Sequence, residues 1–245
     1  MKLSQRLKAA AELVAVRTCV ADVGTDHGFL PVWLCREGRI RRAIAMDLRE
    51  GPLARAQAHI REAGLEGQIE TRLSDGLAAL VPGEADSAVI TGMGGILISR
   101  ILRQSPLVVQ SLQELVLGPQ SDAGLVRRTL EEMRFAIERE TALTEDGKTY
   151  VLIRAVPDAA PRAGGTGGER LAVCPEKMTE EEAAFGPYLL RTKDPVLYAY
   201  LQQQLHVREA LLEKLGGRDG AAALRRKKIE EERQLIEAAV RRYEL

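Results

Sequence analysis

The chain has 245 residues, of which 45 % are hydrophobic and 29 % charged, and its 35 Lys and Arg balance 35 Asp and Glu. That length predicts one full domain with an appendage, or two small domains, and the composition is that of a soluble globular protein. A zero net charge argues against a surface coated in basic groups for nucleic acid, yet leaves room for a local basic patch.

In chain order, Ser4 is placed to cap a first helix carrying Leu7, Ala10, Ala11 and Val14 at helical spacing. Charges interrupt the apolar residues of MKLSQRLKAAAELV, so this start lacks the apolar core of a secretory signal. Short apolar runs follow at 19–23, 43–46, 69–73, 87–90, 115–117, 135–140 and 150–156. Segments of helical length separate most of them, at 30–37, 52–63, 95–103 and 123–133. This alternation predicts an α/β parallel sheet covered by helices on both faces. Asp146-Gly147 between the last two runs is a turn signal, so the final strand is expected to close an antiparallel hairpin.

A Pro/Gly-rich stretch at 157–169 reads as a linker or mobile loop. Beyond it, Leu197, Leu201, Leu205, Arg208, Leu212 and Leu215 recur at spacings of three and four. A glycine-rich turn at 216–220 leads to a second helix at 221–243, with Leu224, Ile229, Ile236, Val240 and Tyr243 near one stripe. The two predict an antiparallel, coiled-coil-like helical hairpin. The expected organisation is thus 1–157 as an α/β domain, 158–169 as linker and 170–245 as hairpin.

The strongest local signal is Asp22-Val23-Gly24-Thr25-Asp26-His27-Gly28, where a strand ends in a tight turn before a helix. Ligands of open α/β sheets bind at such carboxyl ends, and Gly24 allows close approach of backbone to ligand. Asp26 stands where a dinucleotide fold uses glycine, and its carboxylate repels a pyrophosphate. S-adenosylmethionine has no phosphate and carries a sulfonium and an ammonium, so acids favour it; a dehydrogenase is disfavoured for the same reason. Asp47, with Leu48 after it, follows the second strand and can accept both hydroxyls of a ribose. Asp75 follows the third strand and can accept from an adenine amino group, with Gly76 leaving room for the ring. Each acid alone also makes an ordinary helix cap; three acids after three successive strands point to one ligand.

The fourth strand ends in Thr91-Gly92-Met93-Gly94-Gly95, a loop able to approach a ligand closely, with Met93 offering an adaptable apolar surface. His27 reads as a cofactor contact before a base, while His59 and His206 read as surface residues. Cys19, Cys35 and Cys174 have no CxxC spacing and read as reduced thiols of a cytoplasmic protein; no Cys/His cluster has metal-ligand spacing, so no metal is expected. No run of about 18 apolar residues exists, so no membrane span is expected. Arg36, Arg39, Arg41 and Arg42, then Arg225, Arg226, Lys227 and Lys228, with Arg241 and Arg242, are the candidates for phosphate contacts.

At these motifs the chain resembles the bacterial tRNA adenine-N1-methyltransferase family that modifies adenine 22. The resemblance rests on LSQRL, DVGTDHGFLP, MDLREGPLARA, LSDGL, ITGMGG, LGPQ and EDGKTYVLI, and continues through EEAAFGPYLL and KDPVLYAYL. It implies a Rossmann-like, seven-stranded methyltransferase domain followed by a helical hairpin. It also implies a SAM site at Asp22, Gly24, Thr25, Asp26, His27, Gly28, Asp47, Leu48, Asp75 and Gly76. Gly92, Met93 and Gly94 then take the place of the usual target-base loop, and Asp26 is the first choice for an electrostatic role at the reaction centre. tRNA is the implied partner, contacted through the hairpin. Two readings stay open beside this one: a small-molecule methyltransferase, and a SAM-binding interaction module whose hairpin holds a protein.

Overall fold

The computed structural model describes residues 3–158, 177–215 and 220–244. The residues of the expected linker after Asp158, Cys174 and most of the expected glycine turn lie outside them. Helix α1 (Gln5–Leu13) starts where Ser4 accepts from the Leu7 N–H at 3.2 Å, as its sequence predicts. Strands β1 (Cys19–Val23), β2 (Arg42–Asp47), β3 (Ile69–Leu73), β4 (Ser87–Met93), β5 (Glu114–Pro119), β6 (Phe135–Glu145) and β7 (Lys148–Pro157) form one sheet in the order β3-β2-β1-β4-β5-β7-β6. The first five run parallel, and β7 lies antiparallel between β5 and β6.

Helices α2 (Phe29–Arg36) and α3 (Glu50–Glu62) join α1 on one face; α4 (Gly95–Gln104), α5 (Pro106–Ser111) and α6 (Ala123–Glu132) cover the other. Alternate strand residues divide between the faces: Val20, Ala43, Val89 and Val116 pack with α1–α3, while Ala21, Ile44, Ile90 and Leu117 pack with α4–α6. All residues of β1 and β5 are buried, as strands covered on both faces require. Asp146 and Gly147 join β6 to β7 with φ of 51° and 73°, the double positive φ of a type I′ hairpin turn.

The hairpin is tied to this sheet by elements that the hydrophobic periodicity does not reveal. Short helices α7 (Glu180–Phe185) and α8 (Pro187–Arg191) lead into α9 (Pro195–Lys214) and α10 (Gly220–Glu244). Thr179 and Glu182 make a reciprocal capping box on α7, and Asp194 caps α9 through the Val196 and Leu197 N–H groups. Tyr198 stacks on Tyr243, Arg208 meets Glu232, and Arg226 reaches the Leu212 carbonyl, so α9 and α10 run antiparallel. Leu189, Leu190, Leu197, Leu201, Ile236 and Ala239 seal the base of the hairpin with Ala142 of β6. Leu224, placed on the apolar stripe by its spacing, is instead 72 % exposed, because the far end of the hairpin extends past this core.

Beneath the base lies a buried ion pair. Arg127 of α6 donates from Nε to Glu140 of β6 at 2.8 Å, and both side chains are almost wholly buried. Arg127 Nη1 also donates to the carbonyls of Ala183 and Ala184, and Glu140 accepts from the Tyr188 N–H. A second buried acid, Glu114 of β5, accepts from Ala15 N–H and Arg154, fixing the segment after α1 to the sheet.

Candidate cofactor and substrate site

The candidate residues converge at the carboxyl edge of the parallel strands because each strand hands its chain to the next helix there. The Gly24 and Thr25 N–H groups both donate to the Met46 carbonyl at 2.8 Å, folding the loop after β1 onto the end of β2. The Ser74 N–H donates to the Asp47 carbonyl, and the Gln120 N–H to the Met93 carbonyl, at 2.9 Å each. These backbone bonds join the loops after β1, β2 and β3 and, separately, those after β4 and β5, and Met93 packed on Gly24 brings the two groups into one wall.

Two recesses open along it. The larger, of about 570 Å³, is bordered by Asp22, Gly24, Thr25, Asp26, His27 and Asp47 on one side and by Gly92, Met93 and Gln120 on the other. The smaller, of about 180 Å³, lies between Leu48, Asp75 and Gly76 and the α4 side chains Leu97, Arg100 and Ile101. They share Gly24, Asp47, Arg49 and Met93 and so form one trough. The Met93 methyl sits directly on the Gly24 backbone, in the space that a side chain at position 24 needs. Gly24 itself has a φ of +79°, which L side chains rarely adopt.

The charge pattern is uneven along the trough. Asp22 is buried, and that burial, with the nearby Asp47 carboxylate adding to it, pushes its carboxyl up to about 6. Asp26 differs: it is 68 % exposed and paired with Arg55 at 2.5 Å, and that hydrogen bond lowers its pKa. Asp47 accepts from its own turn at the Arg49 N–H, 2.8 Å away. Asp75 is exposed at the mouth of the smaller recess. A buried acid facing an open cleft, whose desolvation outweighs the relief supplied by the Thr25 side chain, fits a cationic ligand, since bringing a positive charge beside it offsets that desolvation.

Gly28 and Gly94 border neither recess: Gly28 is the left-handed N-cap of α2 pressed against Ala56, and Gly94 packs on Ser121. Gly92, with a φ of +79°, faces open space beside the larger recess, so it leaves room for a ligand. The rings of His27, Phe29 and His59 pack on one another in a triangle, with centroids 5.0 to 5.4 Å apart, and the His59 ring contacts the His27 carbonyl. His59 therefore supports the loop rather than standing on the open surface, whereas His206 is exposed.

Four arginines of the trough, Arg6, Arg49, Arg55 and Arg100, belong to none of the basic clusters that stand out in the sequence. Arg6 lies over the Tyr150 ring at 4.8 Å, and its buried Nε has no partner among the described residues. Its place within LSQRL is the one signal that points to it. Conversely, Arg36, Arg39, Arg41 and Arg42 sit at or before the start of β2, the end opposite Asp47. They are remote from the trough, and Arg39 is occupied by the Val14 carbonyl. Among the described residues no group of His, Cys, Asp and Glu could hold a metal ion, and no helix is long and apolar enough to cross a membrane.

Comparison with known proteins agrees with this architecture. A family profile described as "Methyltransferase domain" matches residues 3–153. The chain is 32 % identical over 215 residues to the tRNA (adenine(22)-N(1))-methyltransferase of Bacillus subtilis, covering 88 % of this chain and 86 % of that protein. The solved structure of the B. subtilis M1A22 tRNA methyltransferase TrmK superposes with a TM-score of 0.82 at 29 % identity, over 98 % of this chain and 99 % of that one. Streptococcus pneumoniae Sp1610, solved in complex with S-adenosyl-L-methionine, gives 0.82 at 28 % identity over 98 % and 100 %. The seven-stranded sheet, its helical hairpin and these relationships together place the chain in the tRNA (adenine(22)-N(1))-methyltransferase family.

Proposed function

We propose that the protein transfers the methyl group of S-adenosylmethionine to N1 of the adenine at position 22 of tRNA in the cytoplasm. The observation that carries this reading is the trough at the strand ends, with the buried acid Asp22 at one end and an apolar slot with Asp75 at the other. Asp22 holds the cofactor's ammonium, and the free Arg6 donor suits its carboxylate. Asp47 takes the ribose hydroxyls, while Leu48, Asp75 and Gly76 frame the adenine. Thr25, His27 and Gly28 shape the turn that presents Gly24.

When bound, the cofactor supplies an electrophilic methyl group on a sulfonium. Adenine N1 carries its own lone pair at neutral pH, so the chain needs no general base. Most of the acceleration comes from holding N1 in line with the methyl group. Gly92 and Gly94 keep the loop slim where the base enters, and Met93 packs against it. Asp26 favours the positive charge of the product, but its pairing with Arg55 assigns it a weaker part than Asp22. The base must leave its stack to reach the trough. The exposed Arg225, Lys227 and Lys228 of α10 are suited to RNA phosphates. Methylation of tRNA transcripts with adenine or another base at position 22 tests the reading; equal methyl transfer to both overturns it.

A further inference from the structure

A third cavity, of about 210 Å³, lies where the sheet edge meets the helical hairpin. Its floor is the loop after β5, including Gln120 and Asp122; Thr149 of β7 forms one wall, and Phe185 of α7 and Tyr200 of α9 form the other. Gln120 also borders the larger recess of the trough, and its N–H is bonded to the Met93 carbonyl. The cavity therefore adjoins the wall where the target base is proposed to enter.

Its lining selects a chemical class. Phe185 and Tyr200 supply aromatic surface, and Asp122 and Thr149 supply polar edges. The cation of the lining, Arg127, already faces Glu140, so a phosphate finds no free positive charge there. Yet Arg127 retains one unused donor: its Nη2 is buried and has no partner among the described residues. A neutral, flat group with hydrogen-bonding edges fits all of these features. Unstacked RNA bases are held by aromatic stacking combined with hydrogen bonds at their edges.

We infer that this cavity receives a second nucleobase, from a nucleotide flanking the target adenine in the same RNA. The inference rests on the proposed tRNA reading. It also gives the docked base of the hairpin a purpose, since α7 and α9 complete a subsite that the sheet alone leaves open. Stacking of one base on an aromatic residue corresponds to roughly a tenfold effect on RNA binding.

The test uses the full chain and tRNA transcripts bearing a single abasic nucleotide on either side of position 22. Wild-type protein is expected to show a KM for one of these RNAs raised about tenfold. Tyr200→Ala is expected to raise KM for intact tRNA by a similar factor, with an unchanged SAM dissociation constant, and to lose the penalty for that abasic RNA. Thr149→Gln, which fills the cavity and keeps both aromatics, should reproduce the effect if Tyr200→Ala folds poorly. Wild-type-like KM in both variants, or abasic penalties equal in wild type and variants, overturns the inference while leaving A22 methylation standing. Absence of methylation by the wild type on every adenine-22 tRNA overturns both.

Discussion

Arg127 and Glu140 are joined by a 2.8 Å ion pair with almost no solvent exposure, and between them they bind four backbone groups of the segment 183–189. Gly186 belongs to the same lock, because a side chain there collides with the Glu140 carboxylate. Removing one member of such a pair leaves a buried charge without compensation. Arg127→Met or Glu140→Gln should each cost about 3–5 kcal/mol of stability, measured by denaturant unfolding. The double variant Arg127→Met/Glu140→Gln should lose less than the sum of these two singles. Additive losses would mean that the pair acts as two independent contacts.

Asp22 gives a prediction with opposite signs for the free and liganded protein. Its folded pKa, about 6, lies above the ordinary 3.8, so the folded state binds more protons between these values. Stability contributed by this group therefore falls as pH rises from about 3.8 through about 6, and the ionised acid is a burden at neutral pH. Asp22→Asn should stabilise the ligand-free protein at pH 7 by up to about 3 kcal/mol. The same change should weaken SAM binding, and wild-type affinity should decline as pH falls below about 6, as calorimetric titration would show. If Asp22→Asn left SAM binding at pH 7 as tight as in the wild type, Asp22 would not belong to the site.

Gly24→Ala tests the trough at its narrowest point. The added methyl meets the Met93 methyl, and the backbone φ of +79° disfavours any side chain. Backbone strain of about 1–2 kcal/mol should appear as lost stability, while displacement of the Met93 side chain into the trough should lower SAM affinity, read by equilibrium binding. Undiminished affinity would show that the ligand does not pass over Gly24.

The hairpin's far end is best tested by charge. Deleting 170–245 would uncover Arg127, Glu140 and the apolar base that includes Leu189 and Leu197, confusing unfolding with impaired binding. Arg225, Lys227 and Lys228 are exposed, although Lys227 lies 3.8 Å from Glu231. Changing the three to Ala should weaken tRNA binding and reduce its log–log salt slope by about 1 for each phosphate no longer neutralised. SAM affinity should stay constant. An unchanged salt slope would place the RNA elsewhere.

Much of this molecule is legible in the sequence because its parallel strands are short, largely apolar and followed at once by functional turns. Strands β1 and β3 begin and end at their predicted residues. Asp22, Asp47 and Asp75 border one trough because strand order, not sequence distance, brings them together. What stays hidden depends on tertiary pairing. Arg127 and Glu140 look like surface charges until α7 and α8 cover them, and those helices are too short for periodicity to mark. Arg6 and Arg55 reach the trough from helices whose patterns announce only their apolar faces. The cluster around Arg39 is conspicuous as charge, yet the chain direction of β2 carries it to the far end of the sheet.

Methyl transfer from labelled SAM to tRNA transcripts that differ only at position 22 tests whether adenine 22 is the methyl acceptor. Incorporation is expected at N1 of adenine 22, falling to background when that base is replaced, and falling together with SAM binding in Asp22→Asn. Full incorporation into the transcript lacking adenine 22 would contradict it.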